Sequence, residues 1–117
     1  MDSIIYTMVR DEDWQEARAA GAYIGSAEDA HDGFLHFSTA AQLRESAARH
    51  RPGQPDLWLV AADAEALGTT LRWEASEGSR PGLFPHLYGK LPLSAVRWAM
   101  PLPLQPDGTH LFPAEIA

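Results

Sequence analysis

Cysteine is absent from the 117-residue chain, which excludes disulfides, thiolate metal ligands and cysteine nucleophiles. Basic residues are few, since nine lysines and arginines stand against 16 aspartates and glutamates, a formal net charge of -7. This balance repels phosphate backbones and anionic membranes, so we expect neither a long nucleic acid nor a membrane as a partner. No apolar run of about 18 residues, signal peptide, glycine-rich phosphate loop or Gly-x-Ser-x-Gly elbow occurs. We therefore expect a cytoplasmic protein.

The length of 117 residues fits one domain over residues 1–117, with a proline-rich tail from about residue 101. Apolar and β-branched patterns predict strands in both halves of the chain. The predicted helices lie mostly in the first half, which favours an α+β domain over a regular βαβ series. The predicted strands cover residues 4–9, 33–38, 57–62, 71–74 and 97–100.

A capping-box spacing of Thr39 and Gln42 predicts that a helix begins after Thr39 and covers residues 40–50. An earlier helix of about two turns is expected after the first strand. Glycine, serine and acidic residues predict that residues 23–32 form an irregular connection and residues 78–82 a loop.

His36 lies in the first of two segments that set one histidine among aromatic and apolar residues. Strand alternation places Phe34, His36 and Ser38 on one face. On one interpretation, His36 is a core residue whose nitrogens are satisfied by a neighbouring strand or by Ser38. On the other, this face of one aromatic ring and two hydrogen-bonding groups binds a ribose or a planar ring.

His86 lies in the second such segment. If residues 84–88 are extended, His86 and Tyr88 share a face with Phe84. The alternative is a turn built on the neighbouring proline and glycine that happens to carry a histidine. Two such histidines in one small chain favour a functional cleft.

Arg72 and Glu74 should point the same way, because they are two residues apart in a predicted strand. One interpretation is a solvated ion pair at a sheet edge. The other is that Glu74 accepts a hydrogen bond from a sugar hydroxyl or from a histidine.

A metal site is not expected, because His31, Asp32 and His36 have the spacing neither of zinc hydrolases nor of structural zinc sites. We expect His31, His50 and His110 to be exposed at loop or helix-end positions.

Several short segments follow one another in an order that resembles a known family. They are Ile-Tyr at 5–6, Asp-Gly-Phe-Leu-His-Phe-Ser-Thr at 32–39, Leu-Arg-Trp-Glu at 71–74, Phe-Pro-His-Leu-Tyr-Gly at 84–89 and Leu-Pro-Leu at 91–93. Together they resemble the small bacterial family called domain of unknown function nine hundred and fifty-two, over about residues 4–101. That family is similar to the ADP-ribosyltransferase superfamily, in particular its RNA 2'-phosphotransferase branch. The resemblance implies a split, strongly bent β-sheet core whose cleft binds NAD.

The resemblance also implies three cleft positions, near Thr7, at His36 and at His86. Thr7 differs from the histidine often found there in relatives. The catalytic glutamate of many transferases lies on a late strand, where this chain has His86, whereas Glu74 comes earlier.

The leading hypothesis is a cleft that binds NAD, or a related small nucleotide, and transfers ADP-ribose. In this hypothesis His36 and His86 are the catalytic pair, and the oxocarbenium-like ribose is steadied as nicotinamide leaves. The remaining residues expected to bind the substrate, by hydrogen bonds or by stacking, are Thr7, Phe34, Ser38, Arg72, Glu74 and Tyr88.

Two other hypotheses come from different classes. A binding or interaction module without activity on the same fold is motivated by Thr7 and by the missing late-strand glutamate. A phosphoesterase with a histidine pair is motivated by His36-Phe37-Ser38, although His86-Leu87-Tyr88 does not repeat that motif. No feature of the sequence sets the oligomeric state.

Overall fold

Short helices and antiparallel strands alternate along residues 2–76 and 80–116, which the computed structural model describes. The predicted loop at 78–82 therefore lies partly outside the described residues. The strands are β1 (Ile4–Arg10), β2 (Ala22–Tyr23), β3 (Leu35–His36), β4 (Leu57–Asp63), β5 (Leu71–Ala75), β6 (Leu83–Leu87), β7 (Leu91–Pro92) and β8 (Val96–Leu102). The α-helices are α1 (Asp11–Ala20), α2 (Ala27–Asp32), α3 (Ala40–His50) and α4 (Ala64–Leu67), and 3-10 turns cover Gly68–Thr70, Leu93–Ala95 and Ala114–Ile116.

The strands form antiparallel sheets in the orders β1-β4-β8, β2-β7 and β3-β6-β5. The predicted strand at 57–62 is the centre of the first sheet, and Leu57, Leu59, Val60, Ala61 and Ala62 in it are buried. A strand covered on both faces needs such a continuous apolar run. The predicted α+β class is confirmed.

The first sheet separates two apolar clusters, because alternate side chains of a strand point to opposite faces. Ile5, Val9 and Val60 belong to one cluster, together with Trp14 of α1. Tyr6, Leu59 and Ala61 belong to the other, together with Leu43 of α3. The helices α1 and α3 therefore cover opposite faces of this sheet.

Residues 35–38 join the two three-stranded sheets. β3 pairs with β6, and the chain then turns to β1, where Tyr6 and Ser38 exchange two backbone hydrogen bonds of 2.8 Å each. Between them, the Phe37 amide donates to the Pro85 carbonyl at 3.0 Å. The polar face of this segment consequently lies where the two sheets meet.

Two local predictions have different outcomes. The helix at 40–50 is confirmed, and both hydrogen bonds of the capping box between Thr39 and Gln42 are present. Residues 23–32, predicted as irregular, instead contain α2, whose Ser26 and Asp29 form a second capping box.

His110, predicted to be exposed, is buried, and its Nε2 donates to the Gln54 carbonyl at 2.8 Å. The turn at Gly108 (φ 86°) and the bridge between Leu104 and His110 fold the C-terminal segment back, so that His110 points inward.

Among the described residues, none of the helices has the length and apolar character needed to cross a membrane.

Candidate functional site

A cleft of about 520 Å³ opens where the two three-stranded sheets meet α2 and the C-terminal end of α3. Five of the site residues predicted from the sequence lie on its wall: Thr7, Phe34, His36, Ser38 and His86. Aromatic side chains share this wall with charged groups of both signs. The other lining residues are Tyr6, Met8, Glu28, Asp29, Asp32, Phe37, Ser46, Arg49, His50, Arg51, Ser76, Arg80 and Phe84.

Thr7 and Ser38 are buried hydroxyl groups on the floor of the cleft. Thr7 Oγ1 donates to the His36 carbonyl at 3.0 Å. Ser38 Oγ lies 2.8 Å from Ser46 Oγ of α3. Both oxygens retain lone pairs, so each can still accept a hydrogen bond from a ligand hydroxyl.

His36 is held between two carboxylates of α2. Its Nδ1 is 2.6 Å from Asp29 Oδ1, and its Nε2 is 2.9 Å from Asp32 Oδ2. The hydrogen bond to Asp29 raises the pKa of His36 against the opposing effect of burial, and the charges of Asp29 and Asp32 add to the increase. Because both ring nitrogens face carboxylates, the imidazolium is the favoured form.

Asp29 also holds α2 in place. Its Oδ2 accepts from the Ser26 amide at 2.8 Å and its Oδ1 from the His36 amide at 3.1 Å. Burial raises the pKa of Asp29, but hydrogen bonds from His36 and Ser26 bring it below its usual value. A Cβ at Gly25 (φ +100°) would lie 2.9 Å from the Asp29 Cβ, so only glycine fits this turn without strain.

His86 has the opposite environment. It is buried on β6, and its Nδ1 donates to Glu74 Oε1 on β5 at 2.9 Å. The same Glu74 oxygen accepts from Tyr88 Oη at 2.7 Å. Burial lowers the pKa of His86 more than the hydrogen bond to Glu74 raises it, and the charge of His36 lowers it further.

The favoured form of His86 is therefore a neutral imidazole with its proton on Nδ1. Nε2 has no hydrogen-bond partner among the residues that the structure describes. Since His86 lines the cleft, this nitrogen is placed to accept a proton there.

Phe34 brings the two histidines together. Its ring stacks on His86 with centroids 4.1 Å apart, and it contacts His36 at 4.6 Å and Tyr88 at 5.3 Å. The centroids of the two imidazoles are 5.8 Å apart, so His36 and His86 face the same small volume. Because Phe34 already packs against three rings, its contribution is to set their spacing.

Arg72, Glu74 and Tyr88 do not line this cleft in the described part of the chain. Glu74 accepts hydrogen bonds from His86 and Tyr88. The hydrogen bond between Glu74 and a histidine, one of the alternatives that the sequence offered for Glu74, is therefore present. The Arg72 guanidinium lies 4.6 Å from the centre of the Tyr88 ring. Glu74 and Tyr88 are connected to His86 by hydrogen bonds, and the expected contact of all three residues with substrate stays a prediction.

The sequence analysis missed the charged partners of the cleft. Asp29 and Asp32 were missed because the short helix α2 has little apolar periodicity, although Ser26 and Asp29 have the spacing of a capping box. Arg51 was missed because it is separated along the chain from both histidine segments, and Arg80 because it lies in the predicted loop at 78–82. Within the described residues, no group of three or more side chains has an arrangement that could hold a metal ion.

The family described as "Protein of unknown function (DUF952)" matches residues 8–99, and the chain belongs to this family. The resemblance found in the sequence to this family is thus confirmed. No significant match to a curated protein was found.

The chain is also similar to solved structures of protein CC0527 from Caulobacter crescentus. An X-ray crystal structure of that protein is 41% identical, covers 97% of each chain and has a TM-score of 0.89. A solution NMR structure is 42% identical, covers 92% of this chain and 91% of that chain, and has a TM-score of 0.81. Both come from structural genomics, and their descriptions name no activity.

Proposed function

We propose that this member of the DUF952 family binds NAD or a related nucleotide in the cleft and transfers its ADP-ribose, on a core of the ADP-ribosyltransferase type. The observation that carries the proposal is the pair of imidazoles, 5.8 Å apart, with opposite favoured protonation states. Neighbouring titratable groups whose environments push their pKa values apart are typical of acid–base sites.

The acidic side of the cleft suits the reacting end of NAD. The nicotinamide ring carries a positive charge, and the ribose becomes positive as the glycosidic bond lengthens. Asp29 and Asp32 together with protonated His36 leave this side with net negative charge. Carboxylates fixed in place before the reaction stabilise such developing charge without reorganisation.

The transfer step balances with His86 as the general base. The bond between ribose C1' and the nicotinamide nitrogen breaks, and its electron pair neutralises the ring. The acceptor oxygen bonds to C1', and its proton passes to His86 Nε2. Glu74 and Tyr88 are positioning residues, because they hold the His86 tautomer from the opposite side.

The hydroxyl groups of the floor complete the proposed site. Thr7 and Ser38 would accept hydrogen bonds from the ribose hydroxyls, as their free lone pairs allow. The His36 carbonyl fixes the orientation of the Thr7 hydroxyl. The cleft volume of about 520 Å³ is within the usual range for sites that bind small molecules and cofactors.

The test measures nicotinamide release from NAD by wild-type protein and by His86→Asn. Asparagine keeps a donor near the Nδ1 position for Glu74 but lacks a group at Nε2. Loss of a general base predicts a rate lower by about 10² to 10⁴. His110→Gln is the matched control, since His110 lies outside the cleft and glutamine can still donate to the Gln54 carbonyl.

A thermal melt provides the binding readout. NAD at about 100 times its dissociation constant should stabilise the fold by about 2.7 kcal/mol. A shift with NAD but no nicotinamide release would favour a binding module without activity over a transferase. The absence of any shift with millimolar NAD, ADP-ribose or AMP would refute nucleotide binding as well.

A phosphoesterase is the second candidate, and the same imidazole pair favours it. A neutral His86 and a protonated His36 are the base and acid that phosphodiester hydrolysis requires. It ranks second because both nitrogens of His36 are already bound to carboxylates. Hydrolysis of a cyclic nucleotide phosphate that His86→Asn abolishes, without nicotinamide release from NAD, would place it first.

A further inference from the structure

The part of the cleft at the C-terminal end of α3 is basic. It is formed by the last turn of α3, by Arg51 directly after it and by Arg80, and it carries three guanidinium groups, those of Arg49, Arg51 and Arg80. We propose that this basic wall is a phosphate subsite, which binds the phosphate groups of an organic phosphate ester or diphosphate. The inference rests on the proposed function in assigning those phosphates to the nucleotide.

Arg51 lacks an acceptor that it needs. Its Nε is buried and has no hydrogen-bond partner in the described part of the chain. Its Nη1 donates to the His50 carbonyl at 3.3 Å and lies 3.9 Å from Glu28 Oε2, a long contact to a carboxylate whose side chain is 59% exposed. Buried donors almost always have a partner, so the hydrogen-bonding capacity of the Arg51 guanidinium is incompletely used by the described residues.

Arg80 is a buried cation fixed largely by neutral groups. Its side chain is only 7% exposed. Nη1 donates to Ser46 Oγ at 3.0 Å, Nη2 donates to the Gln42 carbonyl at 3.3 Å, and the guanidinium lies 4.5 Å from the centre of the Phe84 ring. These contacts set its orientation before any ligand arrives, while its charge is only partly compensated.

The carboxylates near this wall do not neutralise it. Arg80 Nε and Arg49 Nε share the half-exposed Glu45, at 3.4 and 3.5 Å. Glu28 contacts Arg51 only at long range. The remaining acidic residues of the cleft, Asp29 and Asp32, hold His36 instead. Three guanidinium groups therefore face two largely solvated carboxylates.

Burial is the main cause that lowers the pKa of the neighbouring His50, and the charge of Glu28 opposes it more strongly than either Arg80 or Arg51 adds to it. The positive character of the wall follows instead from three guanidinium groups against two carboxylates, in a protein whose net charge is -7. Guanidinium groups bind phosphate oxygens through parallel charge-assisted hydrogen bonds, so phosphate is the anion that fits best.

The test is titration calorimetry with inorganic pyrophosphate at constant ionic strength, on wild-type protein, Arg51→Gln and Arg97→Gln. Arg97 lies on β8, pairs with Asp63 and does not line the cleft, so its variant removes an equal charge elsewhere. Arg51→Gln should weaken binding about tenfold or more, and Arg97→Gln by less than about twofold. Arg51→Lys, which keeps the charge but loses the planar fork, should be intermediate.

Two results overturn the subsite: no heat of binding for pyrophosphate to the folded wild type, or equal weakening by Arg51→Gln and Arg97→Gln. Parallel titrations with AMP, adenosine and NAD separate this inference from the proposed function. If pyrophosphate and AMP bind and Arg51→Gln weakens both, while NAD does not bind at all, the subsite is supported and the NAD proposal is refuted. NAD binding that Arg51→Gln leaves unchanged would refute the subsite and leave the NAD proposal standing.

Discussion

His36 and His86 are paired residues of adjacent strands, yet their surroundings differ in almost every respect. His36 is partly exposed and lies between two carboxylates, whereas His86 is buried and has one. The first arrangement favours the imidazolium and the second favours the neutral ring. The difference teaches that the backbone register brings two histidines together, while side chains from α2 and β5 decide what each can do.

Asp29→Asn should have the largest effect, because Asp29 is buried and accepts from Ser26, from the His36 amide and from its ring. We expect the free energy of unfolding to fall by about 3 kcal/mol, and the pKa of His36 to move down toward that of His86. Denaturant unfolding and NMR titration of the ring measure the two effects. A fully stable variant with an unchanged His36 pKa would contradict this account of the pair.

The two histidines should contribute to stability in opposite pH windows. The raised pKa of His36 gives stability that is fully present below its unfolded value, about 6.5, and is lost as the pH rises through the folded pKa. The lowered pKa of His86 gives stability that is present above about 6.5 and is lost as the pH falls through the folded pKa.

Unfolding measured across this pH range, with His36→Asn and His86→Asn, tests the opposite slopes. The decline on the alkaline side should disappear in His36→Asn, and the decline on the acidic side should become shallower in His86→Asn. If both variants altered the same side of the profile, the assignment of opposite protonation states would be wrong.

Thr7→Val should have a smaller effect, confined to the His36 side. It removes the hydrogen bond of 3.0 Å to the His36 carbonyl with almost no change in volume, at a cost of about 1 kcal/mol in the free energy of unfolding. Thr7→Ser keeps the hydroxyl and serves as the control. Equal losses in the two variants would point to the methyl group rather than the hydrogen bond.

Glu74→Gln should have the smallest effect of these variants, because it should leave the charge of His86 at neutral pH unchanged. Glu74 raises the pKa of His86 against the stronger effect of burial, so without its charge the pKa falls further and the ring stays neutral. The pKa of Tyr88, which the hydrogen bond to Glu74 raises, should return toward its ordinary value. NMR titration of both rings provides the measurement, and a rise in the His86 pKa would contradict the dominant role of burial.

Local patterns were sufficient where one strong signal governs a segment. The helix α3 follows from the capping residues Thr39 and Gln42, with Leu43 and Ala47 on its buried face. The central strand follows from the continuous apolar run at 57–62. The shared face of Phe34, His36 and Ser38 follows from alternation, although only Leu35–His36 pairs as a strand there.

Local patterns failed where the signal was short or the partner distant. The helix α2 has six residues, too few to show apolar periodicity, so Asp29 and Asp32 fall within residues 23–32, which the sequence predicts as an irregular connection. The basic wall joins Arg51 to Arg80 across almost thirty residues of chain. Nothing in the sequence around either arginine indicates that the two line the same cleft.

The sequence by itself determined the family, the α+β class, the helix at 40–50 and the two histidine segments, because capping, alternation and continuous apolar runs act between neighbouring residues. Only the tertiary structure decided that His36 meets Asp29 and Asp32, that His86 meets Glu74, and that Arg51 and Arg80 share one wall. Protonation and charge complementarity depend on distance and burial in three dimensions. Those quantities arise only when the two sheets join at Tyr6 and Ser38 and enclose the cleft.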